Sequence, residues 1–463
     1  MPRPQTVGAL RETGYRPVPV KEEMRRNLLR KLRRGEAILP GLIGYDDTVL
    51  PQVVHAILAR HDLLLLGTRG QGKTQLLRRL VDLLDEAIPA LEGCDLRDDP
   101  LSPTSAAGRR MIADLGDEAP IEWIDREHRY AEKLATPDVS MADLFGDIDL
   151  MKHVQGQSLS SEGALSFGMI PRANRGLVCI NELPDLSPKI QVGLFNLLQE
   201  RDVQIRGHSV RFALDVCLVF SANPEDYTSR GRIVTPLKDR IGSVIRTHDP
   251  RTREHGMAIN RAYARLDRED CRVVVPLFMQ AIVEEVARRA RTSPQVNHQS
   301  GVSARLGIAA LELLVAAAER RAMRHDESTI VPRMSDLPAL VAGARGKLEV
   351  HSLDEEGAED RLLADLLREA TGAVYAEHAN AETTRSVREW FAAGGTIQVG
   401  DEVSDAAIAR QVAACAALDR RARELAGEDA TIIGSAAEFL LEGMHLAGQI
   451  GKRVEGVGMV FSR

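Results

Sequence analysis

Residues 67–74 read Gly67-Thr68-Arg69-Gly70-Gln71-Gly72-Lys73-Thr74, which fits the pattern GxxxxGK[ST] without deviation. Glycines at these positions let the backbone curl until its N–H groups point inward, where they can hold phosphate oxygens. A helix opening at Lys73 adds the partial positive charge of its N-terminus. The Lys73 ammonium has the reach for β- and γ-phosphates, and the Thr74 hydroxyl is a hard ligand for Mg²⁺. The chemistry suited to this set is the binding of a nucleoside triphosphate with its cation. Gly67, Thr68, Arg69, Gly70, Gln71, Gly72, Lys73, Thr74 and the following Gln75 are the candidate binding residues.

Holding a triphosphate does not hydrolyse it; an acidic strand end must also position the cation and a water. The run Gly176-Leu-Val-Cys-Ile-Asn181-Glu182 is apolar and closes on two polar residues. Glu182 is the candidate base that orients the attacking water. Asn181 stands where Asp is usual. Its amide oxygen can accept a hydrogen bond from a cation-bound water but carries no full charge. This predicts a weaker hold on Mg²⁺ rather than a dead site, with Thr74 and Asn181 as the candidate metal residues. A second run, Val216–Ser221, leads into Ala222-Asn223-Pro224. Asn223 at its tip could sense the γ-phosphate or the water, although Asn-Pro is also an ordinary turn signal.

These residues need a scaffold, and the flanking pattern supplies one. His61–Leu66 ends in four leucines bounded by glycine, a short buried strand. Thr74–Leu84 carries Leu76, Leu77, Leu80, Leu83 and Leu84 on one helical face. Gly176–Ile180 and Val216–Ser221 read as further buried strands. Alternation of strand and helix predicts a parallel sheet covered on both faces. Leu91–Pro120, rich in Asp, Gly and Pro, reads as a long irregular connection. After Pro250 the strand pattern stops; Pro276–Arg291 and Ser303–Arg324 read as helices. The chain from about 346 also reads as mostly helical, interrupted at Gly394-Gly395 and ending in a glycine-rich tail from Gly451.

Composition narrows the class. The 463 residues suggest roughly three domains. With 44% hydrophobic and 27% charged residues, wholesale disorder and an integral membrane protein are excluded. No apolar run approaches a membrane span, and the N-terminus lacks the apolar stretch of a secretory signal. Cys94, Cys179, Cys217, Cys271 and Cys415 are scattered without a CxxC, which argues for a reducing compartment, hence the cytoplasm. The histidines form no HExxH or zinc-finger spacing, against a protein-liganded metal. Ser158, Ser160 and Ser161 lie in a polar stretch without the context of a nucleophile elbow. A formal charge of −7 and 4% aromatics give no global pull on nucleic acid and little stacking surface. Residues 1–34 are the exception, with ten Lys or Arg against three Glu. Met24, Leu28, Leu29 and Leu32 give them helical spacing. This arm is expected to dock on the protein's own acidic body or a neighbouring subunit, or to hold an anionic ligand.

Over about residues 38–325 the chain resembles the AAA+ ATPases, in particular the group containing the magnesium chelatase ATPase subunit and the MoxR-type ATPases. Leu39-Pro-Gly41-Leu-Ile43-Gly44 is similar to the segment that packs on adenine, which implicates Ile43 and Gly44. Gly146–Asp149 and Gly163–Gly176 resemble an insert in the second helix of the core, and Val203–Phe212 a hairpin before the sensor strand. By position, Asn223 matches the sensor-1 polar residue. Leu237-Lys-Asp239-Arg240 matches an LxDR element whose arginine acts on the neighbouring subunit's ATP. Gly301-Val-Ser303-Ala-Arg305 matches the sensor-2 arginine at the start of a lid helix.

The resemblance therefore implies a catalytic set of Glu182, Asn223, Arg240 and Arg305, with ATP and Mg²⁺ as cofactors. It implies an α/β P-loop AAA+ core over 41–250, with a parallel sheet covered by helices and an insert near 147–175. The basic arm (1–40) precedes this core; an all-helical lid (251–345) and a mostly helical C-terminal region (346–463) follow it. An arginine acting in trans implies a ring of identical subunits, commonly six in this group. A partner with a von Willebrand factor A-type domain is also common there. The expected function is an ATP-hydrolysing ring motor that remodels or activates a partner protein, MoxR-like or in metal insertion. Two other classes stay open: a nucleotide-gated scaffold with little hydrolysis, motivated by Asn181, and a DNA-associated motor, permitted by the basic arm.

Overall fold

The four leucines Leu63–Leu66 are all buried and form the strand from which the first half of the molecule is built. The computed structural model describes residues 3–149, 162–205, 211–224, 233–297, 301–350, 357–455 and 458–463. The chain divides into two compact units, residues 1–248 and 249–463.

In the first unit, five strands are labelled β1 (Leu63–Leu66), β2 (Tyr130–Leu134), β3 (Gly176–Asn181), β4 (Val216–Ala222) and β5 (Ser243–Arg246). They lie in the order β5-β1-β4-β3-β2, and every neighbouring pair is parallel. The α/β reading holds. Alternate residues feed two cores. Leu63, Leu65, Leu177, Cys179 and Val219 pack with Leu76 and Leu77 of helix Lys73–Arg79 and with Val49 and Val53 of helix Val49–Leu58. Leu64, Leu66, Val178, Ile180 and Phe220 pack with Ile190, Leu194 and Leu197 of helix Pro188–Gln199. Burial on both faces is what makes these strands read as continuous apolar runs.

The basic segment also enters this unit. Helix Val20–Arg34 buries Val20, Met24 and Leu28 in the first of those cores. Lys21 pairs with Asp62 at 2.6 Å, and the buried Arg129 guanidinium makes a two-pronged pair with Glu23 at 2.8 and 2.6 Å. Arg11 and Arg26 pair with Asp117 and Asp85. Among the arm's ten cations, Arg11, Lys21 and Arg26 are thus answered by acids elsewhere in its own unit, the first of the three destinations expected for it.

Three expectations are corrected. The stretch Leu91–Pro120 is not irregular throughout: helix Ala106–Leu115 lies within it, capped by Ser105, whose Oγ accepts from Gly108 N–H at 2.8 Å. The side chain of Asp98 accepts from the N–H groups of Thr104 and Ser105, so the polar residues that suggested a loop are building a helix entry. Strands do not stop after Pro250. Arg272–Val273 pairs with Thr329–Ile330 inside the segment expected to be all-helical. The glycine-rich tail folds as a hairpin, Gly451–Glu455 with Gly458–Ser462, and Ile397–Val399 joins it. Phe461 anchors that sheet in the apolar core, a burial that glycine content masks in the sequence.

The second unit is otherwise helical, and one core runs from Phe278 to Phe461. Helices Leu277–Thr292 and Arg305–Arg324 lie where the sequence placed them. Two buried guanidiniums, Arg321 and Arg333, are ringed by Asp336, Asp405, Glu327 and Glu438. Two cations cannot neutralise four carboxylates. Burial pushes Asp405 up to about 6 despite Arg321 and Arg333, with Glu327 and Glu438 adding to the shift. Among the described residues no helix is long and apolar enough to cross a membrane, and all five cysteines are free.

A folded-state pKa above the unfolded value means the native state binds the proton more tightly. Asp405 therefore stabilises the fold fully below its unfolded pKa of about 3.9, and that contribution is lost as pH rises through about 6. Thermal unfolding of wild type and Asp405→Asn across this range should show the wild-type Tm advantage shrinking as pH rises.

Candidate functional site

Because the sheet is parallel, β1, β3, β4 and β5 all end on one side. The residues that follow them are Gly67, Glu182, Asn223 and Thr247. Open parallel sheets bind ligands at such carboxyl ends. The β1 loop is clasped there by backbone bonds: Gly67 N–H donates to Ala222 O at 3.2 Å, and Thr247 N–H to Leu66 O at 2.9 Å.

Gly67 is required by close approach. A Cβ there would lie 1.8 Å from Thr247 Oγ1 and 2.3 Å from Gln71 Oε1. Those two side chains bond each other at 2.8 Å, so β5 fixes the loop. Gly70 and Gly72 have φ of 79° and 72°, the left-handed region that glycine enters without strain. Gly72 then starts helix Lys73–Arg79, which carries Thr74 in its first turn. The cradle fits a phosphate group: its backbone curls into a helix N-terminus, and Thr68 Oγ1 is buried in it without a hydrogen-bond partner. The oxygens at hand for a cation (Thr74 hydroxyl, Asn181 amide, Glu182 carboxylate) are hard donors suited to Mg²⁺.

The Lys73 side chain is 7% exposed. Its ammonium donates to the carbonyl oxygens of Gly67 and Thr68 and to Asn223 Oδ1, the last at 2.8 Å. Asn223 Nδ2 in turn donates to Glu182 Oε2 at 2.9 Å. Three residues singled out from separate motifs are thereby joined in one hydrogen-bonded chain. Glu182 sits at φ 55°, ψ 48°, a left-handed conformation that is costly for a residue with a side chain. Asn181 is buried just before it. Its Oδ1 accepts from Ser221 Oγ at 3.0 Å, and its Nδ2 donates to Glu132 Oε1 at 2.7 Å. Ser221 Oγ also accepts from Glu182 N–H at 3.2 Å. Burial pushes the nearby Cys179 thiol up to about 12, leaving it a neutral filler rather than a thiolate ligand.

The segment holding Ile43 and Gly44 is tied to the loop. Gln75 Nε2 donates to Gly41 O at 3.3 Å, and the Tyr45 hydroxyl lies 2.5 Å from Gln71 O and 3.2 Å from His248 O. The His248 ring meets Tyr45 edge-on at 5.0 Å. Arg69 is exposed on the loop. Arg240, at the end of helix Thr235–Arg240, donates to Gln199 Oε1 and Pro236 O and lies 5.2 Å over the Phe195 ring. Arg305 is an exposed first residue of its helix in the second unit; its N–H donates to Ser303 Oγ at 3.1 Å. The insert contributes a short hairpin, Gly146–Ile148 with Leu165–Phe167. Asp202–Gln204 pairs with Arg211–Ala213 where the second hairpin was expected, while Gly207 and His208 lie outside the described residues. Ser158, Ser160 and Ser161 lie outside them too.

Sequence reasoning missed Tyr45, Glu132, Ser221, Thr247 and His248. Tyr45 adjoins Gly44, and Ser221 lies two residues before Asn223, both of which were chosen. The others are set by strand register, which no local pattern carries.

Residues 140–244 match the family model described as the Sigma-54 interaction domain. The magnesium-chelatase subunit ChlI of Nostoc sp. is 28% identical over 219 residues, 45% of this chain and 53% of that protein. Its counterpart from Anabaena variabilis is 29% identical over 197 residues, 40% of this chain and 52% of that one. The chain thus spans about half the length of the curated relatives it matches. Among solved structures, a complex of subunits BchI and BchD of magnesium chelatase aligns at 21% identity and TM-score 0.36, covering 69% of this chain and 97% of that one. NtrX from Brucella abortus in complex with ADP aligns at 13% identity and TM-score 0.37, covering 88% and 71%. The AAA+ resemblance read from the sequence holds: the chain is similar to magnesium-chelatase subunit ChlI over about half of that protein's length, and residues 140–244 are similar to the Sigma-54 interaction domain.

Tyr45→Phe removes the hydroxyl that holds Gln71 while keeping the ring against His248. A hydrogen bond of this kind contributes about 1 kcal/mol, so adenine-nucleotide affinity measured by calorimetry should fall about fivefold, with the fold intact by circular dichroism.

Proposed function

We propose that the chain binds ATP with Mg²⁺ at the carboxyl ends of β1, β3 and β4 and hydrolyses it. The observation that carries this reading is the chain of bonds from Lys73 through Asn223 to Glu182. It couples the group that meets the phosphates to the group that meets the water.

When ATP enters, its phosphate oxygens replace the neutral oxygens that now accept from Lys73. The backbone N–H groups of Gly70, Gly72 and Lys73 and the helix N-terminus hold the remaining phosphate charge. Ile43 and Gly44 line the base, positioned by Tyr45 and Gln75. Thr74 would hold Mg²⁺ directly and Asn181 through a water, and the cation would supply positive charge against that growing as the terminal phosphoryl group departs. Asn223, losing Lys73, remains bonded to Glu182 and holds that carboxylate on the attacking water, whose proton Glu182 accepts. General-base assistance of this kind contributes about 10²–10⁴ in rate.

Arg240 reaches the ATP of a neighbouring subunit, and Arg305 senses the nucleotide from the lid. The active unit is then a homo-oligomeric ring, most simply a hexamer. Residues 1–40 serve as an arm, 41–250 as the nucleotide-binding core with its insert near 147–175, 251–345 as the lid, and 346–463 as a region of separate role. ATP turnover in such a ring remodels or activates a partner protein, and a von Willebrand factor A-type domain is the partner class suggested by the family. The scattered free cysteines are in keeping with the cytoplasm. The ion pairs that dock the basic helix on its own unit, Lys21 with Asp62 and Glu23 with Arg129, weigh against a DNA-associated motor.

Glu182→Gln should keep ATP affinity within about threefold and cut steady-state phosphate release by 10² or more. Equal, near-zero release by wild type and variant would favour the nucleotide-gated scaffold. Arg240→Ala should lower release by 10³ or more, the scale of an arginine finger. Titrating Glu182→Gln subunits into Arg240→Ala subunits should restore part of the activity, because each supplies what its neighbour lacks.

A further inference from the structure

Asn181 lacks the carboxylate expected at the cation-facing end of β3, and a carboxylate lies one strand away. We infer that Glu132 of β2 and Asn181 of β3 are an exchanged acid–amide pair. In it Glu132 brings the charge to the cation side of the strand ends and fixes the orientation of Asn181. The inference rests on the ATP–Mg²⁺ reading of the site.

Register places the pair. Glu132 stands opposite Cys179, and Asn181 is two residues further along β3, so Asn181 shares the face of Cys179. That is the face against which helix Lys73–Arg79 packs through Leu76 and Leu77. Arg78 of the same helix makes a forked pair with Glu132, Nε to Oε2 at 2.8 Å and Nη2 to Oε1 at 3.1 Å. Thr74 and Arg78 are four residues apart and share one side of the helix. Glu132 therefore lies beneath the helical face that carries the cation's hydroxyl ligand.

Chemistry fixes the rest. An ionised carboxylate can only accept hydrogen bonds, so Asn181 must turn its NH₂ toward Glu132, where the distance is 2.7 Å. Its oxygen then faces Ser221, which donates at 3.0 Å and occupies one of two lone pairs. The Cys179 thiol also donates weakly to that oxygen, at 3.8 Å, so the amide is gripped at both ends. With Asp at position 181, two carboxylates would meet where this bond now lies, and like charges at that separation repel strongly. Glu132 thus explains why residue 181 is an amide. Glu132 is a positioning residue: it acts through Asn181 and by its field.

The test uses full-length wild type, Glu132→Gln, Asn181→Asp, the double variant and Arg78→Gln. Two quantities are read: the unfolding temperature without nucleotide or cation, and the Mg²⁺ concentration giving half-maximal binding of a slowly hydrolysed ATP analogue. Glu132→Gln should raise that Mg²⁺ concentration about tenfold, the lower end of the effect of removing a ligand's outer partner. Asn181→Asp alone should lower the unfolding temperature. The double variant, with acid and amide exchanged between strands, should recover both the temperature and the Mg²⁺ requirement. Arg78→Gln should leave the Mg²⁺ requirement unchanged or lower it.

If the effects of the two single variants simply add in the double, the pair is uncoupled and the inference is wrong. A rise with Arg78→Gln that matches Glu132→Gln would likewise overturn it, since Glu132 would then serve only its ion pair. Wild-type protein that binds no analogue at any Mg²⁺ concentration would overturn the ATP reading beneath it, an outcome distinct from binding whose Mg²⁺ dependence ignores Glu132.

Discussion

The strand ends are organised around a buried cation held by neutral oxygens. The Lys73 ammonium, 7% exposed, sits between the carbonyls of Gly67 and Thr68 and the amide oxygen of Asn223. Such partners satisfy the hydrogen bonds of the ammonium, and a buried charge is tolerated only where it is satisfied in this way. Asn223 stands between Lys73 and Glu182, one end of its amide for each.

Holding that arrangement requires precision from elements that are individually small. β1 has only four residues, yet its neighbours β4 and β5 both contribute bonds to the turn that follows it. Gly67 accepts the closeness of Thr247, and Glu182 accepts an unfavourable backbone conformation. Strain at a strand end persists only where the surroundings determine it, and here Ser221 and Asn223 grip Glu182 from the adjacent strand.

Much of this was legible in the sequence because it is written locally. The glycines, Lys73 and Thr74 form one contiguous motif; Glu182 and Asn223 each end an apolar run; and the α/β alternation follows from those runs. What was not legible depends on residues far apart in the chain. Glu132 meets Asn181 only through the β2–β3 register, and Thr247 meets Gln71 only because β5 lies beside β1. Composition misled where polar and glycine residues do structural work: Asp98 and Ser105 begin a helix, and the last glycines join strands anchored by Phe461. The ring of acids around Arg321 and Arg333 was invisible because its members are spread over positions 327 to 438.

The Glu23–Arg129 pair bears on how the molecule can be dissected. Arg129 lies just before β2, is 1% exposed, and takes both oxygens of Glu23 as well as the carbonyl of Arg175. A chain shortened past residue 34 to ask what the basic segment binds would strand that guanidinium in the interior. Breaking one side of a buried pair costs about 3–5 kcal/mol, a large share of a typical domain's stability. Lost binding in such a truncation would then report an unfolded core, and charge reversal at exposed arginines such as Arg30 and Arg33 is the dissection that leaves the core in place.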